Sequence, residues 1–181
     1  AFCIIGEPCK DKKPGEDKTI IGSNAVIRSH TVIYAGNKIG DNFQTGNKVN
    51  IREFNNIGNN VSVGTLTVLE HHIEIADEVR IHSQVFIPEF SKIGKSAWIG
   101  PNVVFTNAKY PVSPNVKSSL LGPHIENKVI IGANSTILPG IKIASEALVG
   151  AGSVLTKNVN SREVHAGNPA KFIKRLDELP Y

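Results

Sequence analysis

Methionine is missing from these 181 residues, tryptophan is present once, and cysteine, like glutamine, only twice. With no methionine, the start of the sequence is expected to have been processed or trimmed. Two cysteines, Cys3 and Cys9, do not make a disulfide framework, so free thiols in a reducing, cytoplasmic setting are expected. No apolar run reaches membrane-span length, and no charged-then-apolar leader opens the sequence, so neither a membrane span nor a secretory signal is expected. Basic runs interleaved with aromatics are also lacking. The net charge of +4 suits a small anionic ligand and is far from a nucleic-acid signature.

What is present is a period. Steps of six residues from Ile21 land on Ile27, Ile33, Ile39, Thr45, Ile51, Ile57, Val63, Leu69, Ile75, Ile81, Ile87, Ile93, Ile99 and Phe105. Thr45 is the one polar residue in the series. After a break the beat resumes, shifted, at Ile131, Ile137, Ile143, Val149 and Leu155. A fixed period implies a stack of like units, each burying its apolar face on its neighbours. The fifth residue of each unit is small or apolar as well, as at Val49, Val61, Val79 and Val85. Gly and Asn follow the first residue, as in Ile39-Gly40-Asp41-Asn42, and tolerate the left-handed backbone of a sharp corner. Each unit is therefore a short strand and a bend. Three units close a coil of eighteen residues, which stacks residue i on i+18 at a strand spacing of about 4.8 Å.

Read in steps of eighteen, one corner carries Ala35, Glu53, His71, Glu89 and Asn107, with Phe54, His72 and Phe90 beside it. Asn37 and Asn55 stack at an inward position, where an internal amide ladder is expected. The beat lapses between Asn107 and Lys128, so a loop over 107–128 is expected to project from the coil. The coils then span about 19–106 and 129–160 of a single domain over 1–175. In the extension over 161–181, PAKFIKRLDEL has Pro169 at its first turn and an apolar face of Phe172, Ile173, Leu176 and Leu179, which predicts a short C-terminal helix.

The period and two segments, Ile131–Lys157 (IGANSTILPGIKIASEALVGAGSVLTK) and Ala166–Lys174 (AGNPAKFIK), resemble the hexapeptide-repeat acyltransferases. The resemblance runs from about residue 19 to 175. It implies an all-β fold, a left-handed parallel β-helix; periodicity alone does not give the hand, since parallel crossovers are otherwise right-handed. It also implies a homotrimer and transfer of an acyl group, acetyl first, from a coenzyme A thioester. Gly132, Ala133, Gly150 and Ala151 are then expected to border the pantetheine groove, although corners need small residues anyway. Lys157 and Lys171 are expected at the phosphates and Pro169 near the adenine.

For the acceptor, Gly100–Asn107 (GPNVVFTN) is similar to nucleotide-sugar N-acetyltransferases, which acylate an amino sugar. Sugar O-acetyltransferases of this type place a histidine base where this sequence has Tyr110, whose phenol is a poor base at neutral pH. Tyr110 and Gln84 are accordingly read as substrate contacts. A neutral amine needs orientation and a proton acceptor, and the candidates are Glu89, Asn107, His71 and His82. His82 stands in a column of glycines at 46, 64 and 100. Trp98, at an outward position, reads as a subunit contact. An O-acetyltransferase is the nearest alternative. A γ-type carbonic anhydrase needs histidines five apart near a subunit seam, and no pair here has that spacing, so no metal is expected. A silent trimeric scaffold would have no use for the VGAGSVLTK and GNPAK segments.

Overall fold

The computed structural model describes residues 1–180. Short parallel strands form three sheets wound into a β-helix. Sheet A runs from Ile4–Glu7 and Val32–Tyr34 through Phe86–Ile87 and Val104–Phe105 to Thr136–Ile137 and Val154–Leu155. Sheet B runs from Ile20–Ile21 through Glu74–Ile75 to His124–Ile125 and Lys142–Ile143. Sheet C runs from Gln44–Thr45 through Arg80–Ile81 and Trp98–Ile99 to Leu148–Val149 and the C-terminal strands. Register follows the eighteen-residue step, as in Phe86 against Val68 and Arg80 against Ser62.

Two-residue strands suffice because each supplies one inward side chain, and the corner behind it supplies the next. The inward columns are buried, among them Ile33, Ile51, Leu69, Ile87 and Phe105. Thr45, the polar exception, accepts from the Arg28 amide at 3.0 Å and lies 3.3 Å from the Thr31 hydroxyl. Asn37 and Asn55 stack as expected, but their side chains are satisfied by the backbone and not by each other. The Asn55 amide donates to Asn37 Oδ1 at 2.9 Å, and the Ile73 amide to Asn55 Oδ1 at 2.8 Å. Corners are turned by residues of positive φ: Asn24, Asn42, Asn60, Asn102 and Asn134 near +57°, a left-handed conformation asparagine accepts at little strain.

The corner glycines have a packing reason. A Cβ on Gly132 would run into the backbone of Ala151 in the next coil. Gly132→Ala is expected to lower stability by about 1–3 kcal/mol through forced separation of the coils. Chemical denaturation measures it, and an unchanged midpoint would contradict this packing.

Two expectations need correction. The coil resumes before residue 129: the Leu121 amide donates to Asn107 O and the Gly140 amide to Leu121 O, each at 2.8 Å. His124–Ile125 is already a strand of sheet B. The strand register thus steps by 32 residues where it spans the insertion, as at Lys92–His124 and Val104–Thr136, against 18 in the coils on either side, and the projection is confined to 108–120. A single 3-10 turn, Val116–Ser119, lies within it.

The C-terminal helix is not formed. Glu163–Gly167 pairs in parallel with Leu148–Val149, and Ala170–Arg175 returns antiparallel to it, with a 3-10 turn at Leu176–Glu178. The end of sheet C offers unpaired backbone groups, and this hairpin satisfies them. Phe172 and Ile173, expected on one helix face, are both about half exposed.

Candidate active site

The corner between sheets A and B gathers the ionisable side chains of the 18-residue column. Asn107 Nδ2 donates to Glu89 Oε2 at 2.7 Å, and His71 Nε2 lies 3.6 Å from Glu89 Oε1. His71 Nδ1 meets His72 Nδ1 at 2.9 Å, so one of the two carries the shared proton. One coil back, Arg52 forks onto Glu53 with bonds of 2.9 and 3.0 Å and reaches Glu70 at 3.5 Å. Burial acts to raise the Glu53 carboxyl, but its hydrogen bonds from Arg52 prevail and hold it below the usual range. Glu53 therefore stays anionic and holds Arg52, while Glu89 keeps a free oxygen edge toward His71.

An imidazole backed by a carboxylate is an arrangement for accepting a proton. Both His71 and Glu89 remain partly open to solvent and hence to a ligand. As Lys48, Leu66, Glu78 and Gln84 turn other corners, Phe54, His72 and Phe90 turn this one at positive φ. Their rings, with centroids 5.4 Å (Phe54–His72) and 5.9 Å (His72–Phe90) apart, form an aromatic strip beside the carboxylates.

Further along this corner a hollow of about 470 Å³ is lined by Thr106, Ala108, Lys109, Leu138, Pro139, Ile141 and Thr156. It shares Thr156 with a second hollow of about 300 Å³, lined by Thr156, Lys157, Asn158, His165, Pro169, Ala170, Lys171 and Phe172. Register sets Phe105 beside Ile137, and Ile137 beside Leu155. Asn107 and Lys157 are therefore two coils apart, roughly 10 Å at a strand spacing of about 4.8 Å. Three of the residues expected at a cofactor, Lys157, Pro169 and Lys171, share one cavity. Through Thr156 it adjoins the larger hollow, whose lining includes Thr106 and Ala108 on either side of Asn107. Tyr110 stands on the projecting loop just past Asn107, two-thirds exposed.

The other expected residues lie elsewhere. Gly132, Ala133, Gly150 and Ala151 follow sheet C strands, at the corner between sheets C and A. His82 and Gln84 share that corner, following Arg80–Ile81, so one chain does not bring them to His71, Glu89 and Asn107. His82 packs on Trp98 with ring centroids 4.6 Å apart, and its Nε2 is buried without a hydrogen-bond partner among the described residues. Burial and then the nearby Arg80 charge push its imidazole below the ordinary range, which keeps it neutral at pH 7.

The residues that sequence reasoning missed are Arg52 and Glu70 in the column and Thr106, Leu138, Pro139 and Thr156 in the groove. Arg52 and Glu70 were available from the eighteen-residue step. The groove residues were hidden by the insertion, which breaks the count between 107 and 121.

Residues 122–157 match the family described as bacterial transferase hexapeptide (six repeats). The galactoside O-acetyltransferase of Lactococcus lactis subsp. lactis (strain IL1403) is 31% identical over 86 residues, covering 45% of this chain and 42% of the relative. The 2,3,4,5-tetrahydropyridine-2,6-dicarboxylate N-acetyltransferase of Clostridium perfringens (strain SM101 / Type A) is 52% identical over 54 residues, covering 30% of this chain and 23% of the relative. These matches span less than half the length of either relative. In fold, the chain is similar to the acetyltransferase domain of PglB from Neisseria gonorrhoeae FA1090, solved in complex with acetyl coenzyme A. The TM-score is 0.56 at 17% identity, covering 82% of this chain and 57% of that one. Residues 122–157 therefore match the hexapeptide repeat of the bacterial transferases, within a chain that folds as a β-helix.

Proposed function

We propose that the chain is an acetyl coenzyme A-dependent acetyltransferase acting on the amino group of a nucleotide-linked amino sugar. The observation that carries this reading is a succession of a polar cluster and two hollows that share Thr156. It runs from a proton-accepting end at His71, Glu89 and Asn107, through the apolar hollow at Leu138 and Pro139, to the cationic end at Lys157 and Lys171. The hollow suits a pantetheine arm and the lysines suit phosphates. Pro169 lines the lysine end, where the adenine would lie.

In this arrangement the acceptor amine attacks the thioester carbonyl carbon. A C–N bond forms, the C–S bond breaks, and the electron pair leaves on sulfur as the thiolate. His71 takes the proton the amine loses and returns it to the thiolate, so no net proton is released. Glu89 and Asn107 orient the amine, and Glu89 also steadies His71. Tyr110, on the loop, closes over the acceptor. The named relatives include both an N- and an O-acetyltransferase, which supports acyl transfer on this scaffold. A hydroxyl acceptor is the second reading, and the observation favouring it is that His71 with its carboxylate is a base of the kind a hydroxyl needs.

Assembly as a homotrimer completes the proposal. Sheet B faces outward with Lys38, Glu74, Lys92, His124 and Lys142, a solvated surface. Sheets A and C turn out Val68, Phe86 and Val104, and Trp98, Ile130 and Leu148. Apolar strips on two faces and a charged third face suit a three-fold ring in which sheet A of one copy meets the Trp98–Leu148 part of sheet C of the next, closing the groove from its open side. The free thiols of Cys3 and Cys9 fit a cytoplasmic setting, and no helix among the described residues is long and apolar enough to cross a membrane.

The groove is tested at its cationic end. Lys157→Ala and Lys171→Ala are each expected to raise KM for acetyl coenzyme A about tenfold, in line with loss of a charge-assisted hydrogen bond of about 1.5–3 kcal/mol. Values of kcat should stay close to the parent's. Unchanged KM in both variants would remove the cofactor from this corner.

A further inference from the structure

On the outer face of sheet C, in its N-terminal half, lie two hollows that the acyl-transfer groove does not use. One, of about 240 Å³, is lined by Arg28, Gln44, Ser62, Arg80, His82 and Ser83 among others. The second, of about 360 Å³, shares Gln44, Ser62 and Arg80 with it and adds Asn42 and Asn60. Together they approach the size of small-molecule sites, on the order of 300–1,000 Å³.

Their chemistry is one-sided. No carboxylate lines either hollow, in a chain with 16 acidic residues. The two guanidiniums, Arg28 and Arg80, form no ion pair among the described residues, whereas Arg52 and Arg162 are both held by carboxylates. Besides the two guanidiniums and His82, the polar side chains of the lining are amides and hydroxyls, all able to donate, set beside Val61, Val63 and Ile81. His82 adds a buried ring nitrogen with no partner. Two unpaired guanidiniums among neutral donors are complementary to an oxyanion with several oxygens, which guanidinium recognises in bidentate fashion. Sheet C changes character at Trp98: beyond it the outward residues are Ile130 and Leu148, suited to a protein neighbour, and before it they are Gln44, Ser62 and Arg80, suited to a polar ligand.

We infer that this face holds a diphosphate site, and that it takes the diphosphate of the acceptor nucleotide; the second part rests on the acceptor being nucleotide-linked. Coenzyme A is the other diphosphate in the proposed reaction, and its phosphates are already met by Lys157 and Lys171 at a different corner. The acceptor would then be gripped at its diphosphate by sheet C of one copy, with its sugar at the A–B corner of the next.

Calorimetric titration separates these sources without requiring turnover. Inorganic pyrophosphate, UDP, GDP and coenzyme A are titrated separately into the intact protein and into Arg28→Gln and Arg80→Gln. Both arginines are exposed, so the fold should persist, as an unchanged circular dichroism spectrum and melting temperature would verify. The expected result is that pyrophosphate and at least one nucleoside diphosphate bind the parent and weaken about tenfold or more in each variant, while coenzyme A binding is unchanged. Weakened coenzyme A binding with nucleoside diphosphates unaffected would overturn the acceptor assignment. Pyrophosphate that fails to bind the parent, or binds the variants equally well, would overturn the site. A protein that acetylates amino-sugar nucleotides with the same KM after both substitutions would lose this site and keep its reaction. One that binds diphosphates but releases no thiol would keep the site and lose the reaction.

Discussion

Replacing His71 with alanine is expected to lower kcat for acetyl transfer by about 10²–10⁴-fold, the usual contribution of a positioned proton acceptor. KM for acetyl coenzyme A should not move, because the hollows proposed for that substrate lie on the far side of Asn107. Two features make His71 the sensitive position. Its Nε2 is the imidazole nitrogen that looks toward the Glu89–Asn107 pair, and its Nδ1 is engaged by His72. The second engagement fixes the ring plane, so Nε2 is held facing the Glu89–Asn107 pair. Added imidazole should restore part of the rate in the alanine variant, which a loss of packing against Phe90 would not allow. His124→Ala is the matched control. It lies exposed on the outward face of sheet B, so it should leave kcat within a few-fold of the parent. A His71 variant that keeps full kcat would move the chemistry away from this corner.

The second large effect is on stability. Asn55→Leu is expected to cost about 2–4 kcal/mol, read as a fall in the denaturation midpoint at constant slope. Asn55 is fully buried, its Oδ1 accepts from the Ile73 amide, and its Nδ2 donates to Arg52 O. Leucine keeps the volume and leaves the Ile73 N–H inside the coil with no acceptor, and an unpaired buried donor is the expensive case. The comparison is Asn59→Ala. Asn59 Oδ1 also accepts a backbone amide from the neighbouring coil, from Asp41 at 2.8 Å, but at an exposed corner where water replaces it. That change should stay within about 1 kcal/mol. Equal losses at the two sites would mean that burial does not set the value of these ladders. The loss at Asn55 should also reduce activity, since Arg52 and Glu53 stand on the same turn as its hydrogen bond.

Much of this was legible in the sequence because a β-helix converts residue number into position. The step of eighteen put Glu89 beside Asn107 and Asn37 beside Asn55 before any coordinates, and the structure makes both pairs. The same arithmetic put His82 in a different column from His71, and the structure keeps them at different corners. Where counting failed, the chain had stopped obeying the count. The insertion at 108–120 displaced Leu138 and Thr156 from the column that contains Asn107, so the groove was not seen as one feature. The C-terminal segment misled for another reason. Apolar residues at 172, 173, 176 and 179 fit a helical face, and sequence spacing does not report that sheet C has an open edge beside them. Arg28 and Arg80 escaped notice because an unpaired charge is a property of surroundings.

Thiol release from acetyl coenzyme A, followed with paired amino-sugar and hydroxyl-sugar nucleotides, tests the central claim most directly. The account predicts release that depends on the amine, with none above background for the hydroxyl partner, and loss of that release in His71→Ala. Release with hydroxyl acceptors alone would contradict the amine assignment and leave His71 as the base of an O-acetyltransferase. No release with either acceptor, and no coenzyme A binding, would contradict acyl transfer at this corner altogether.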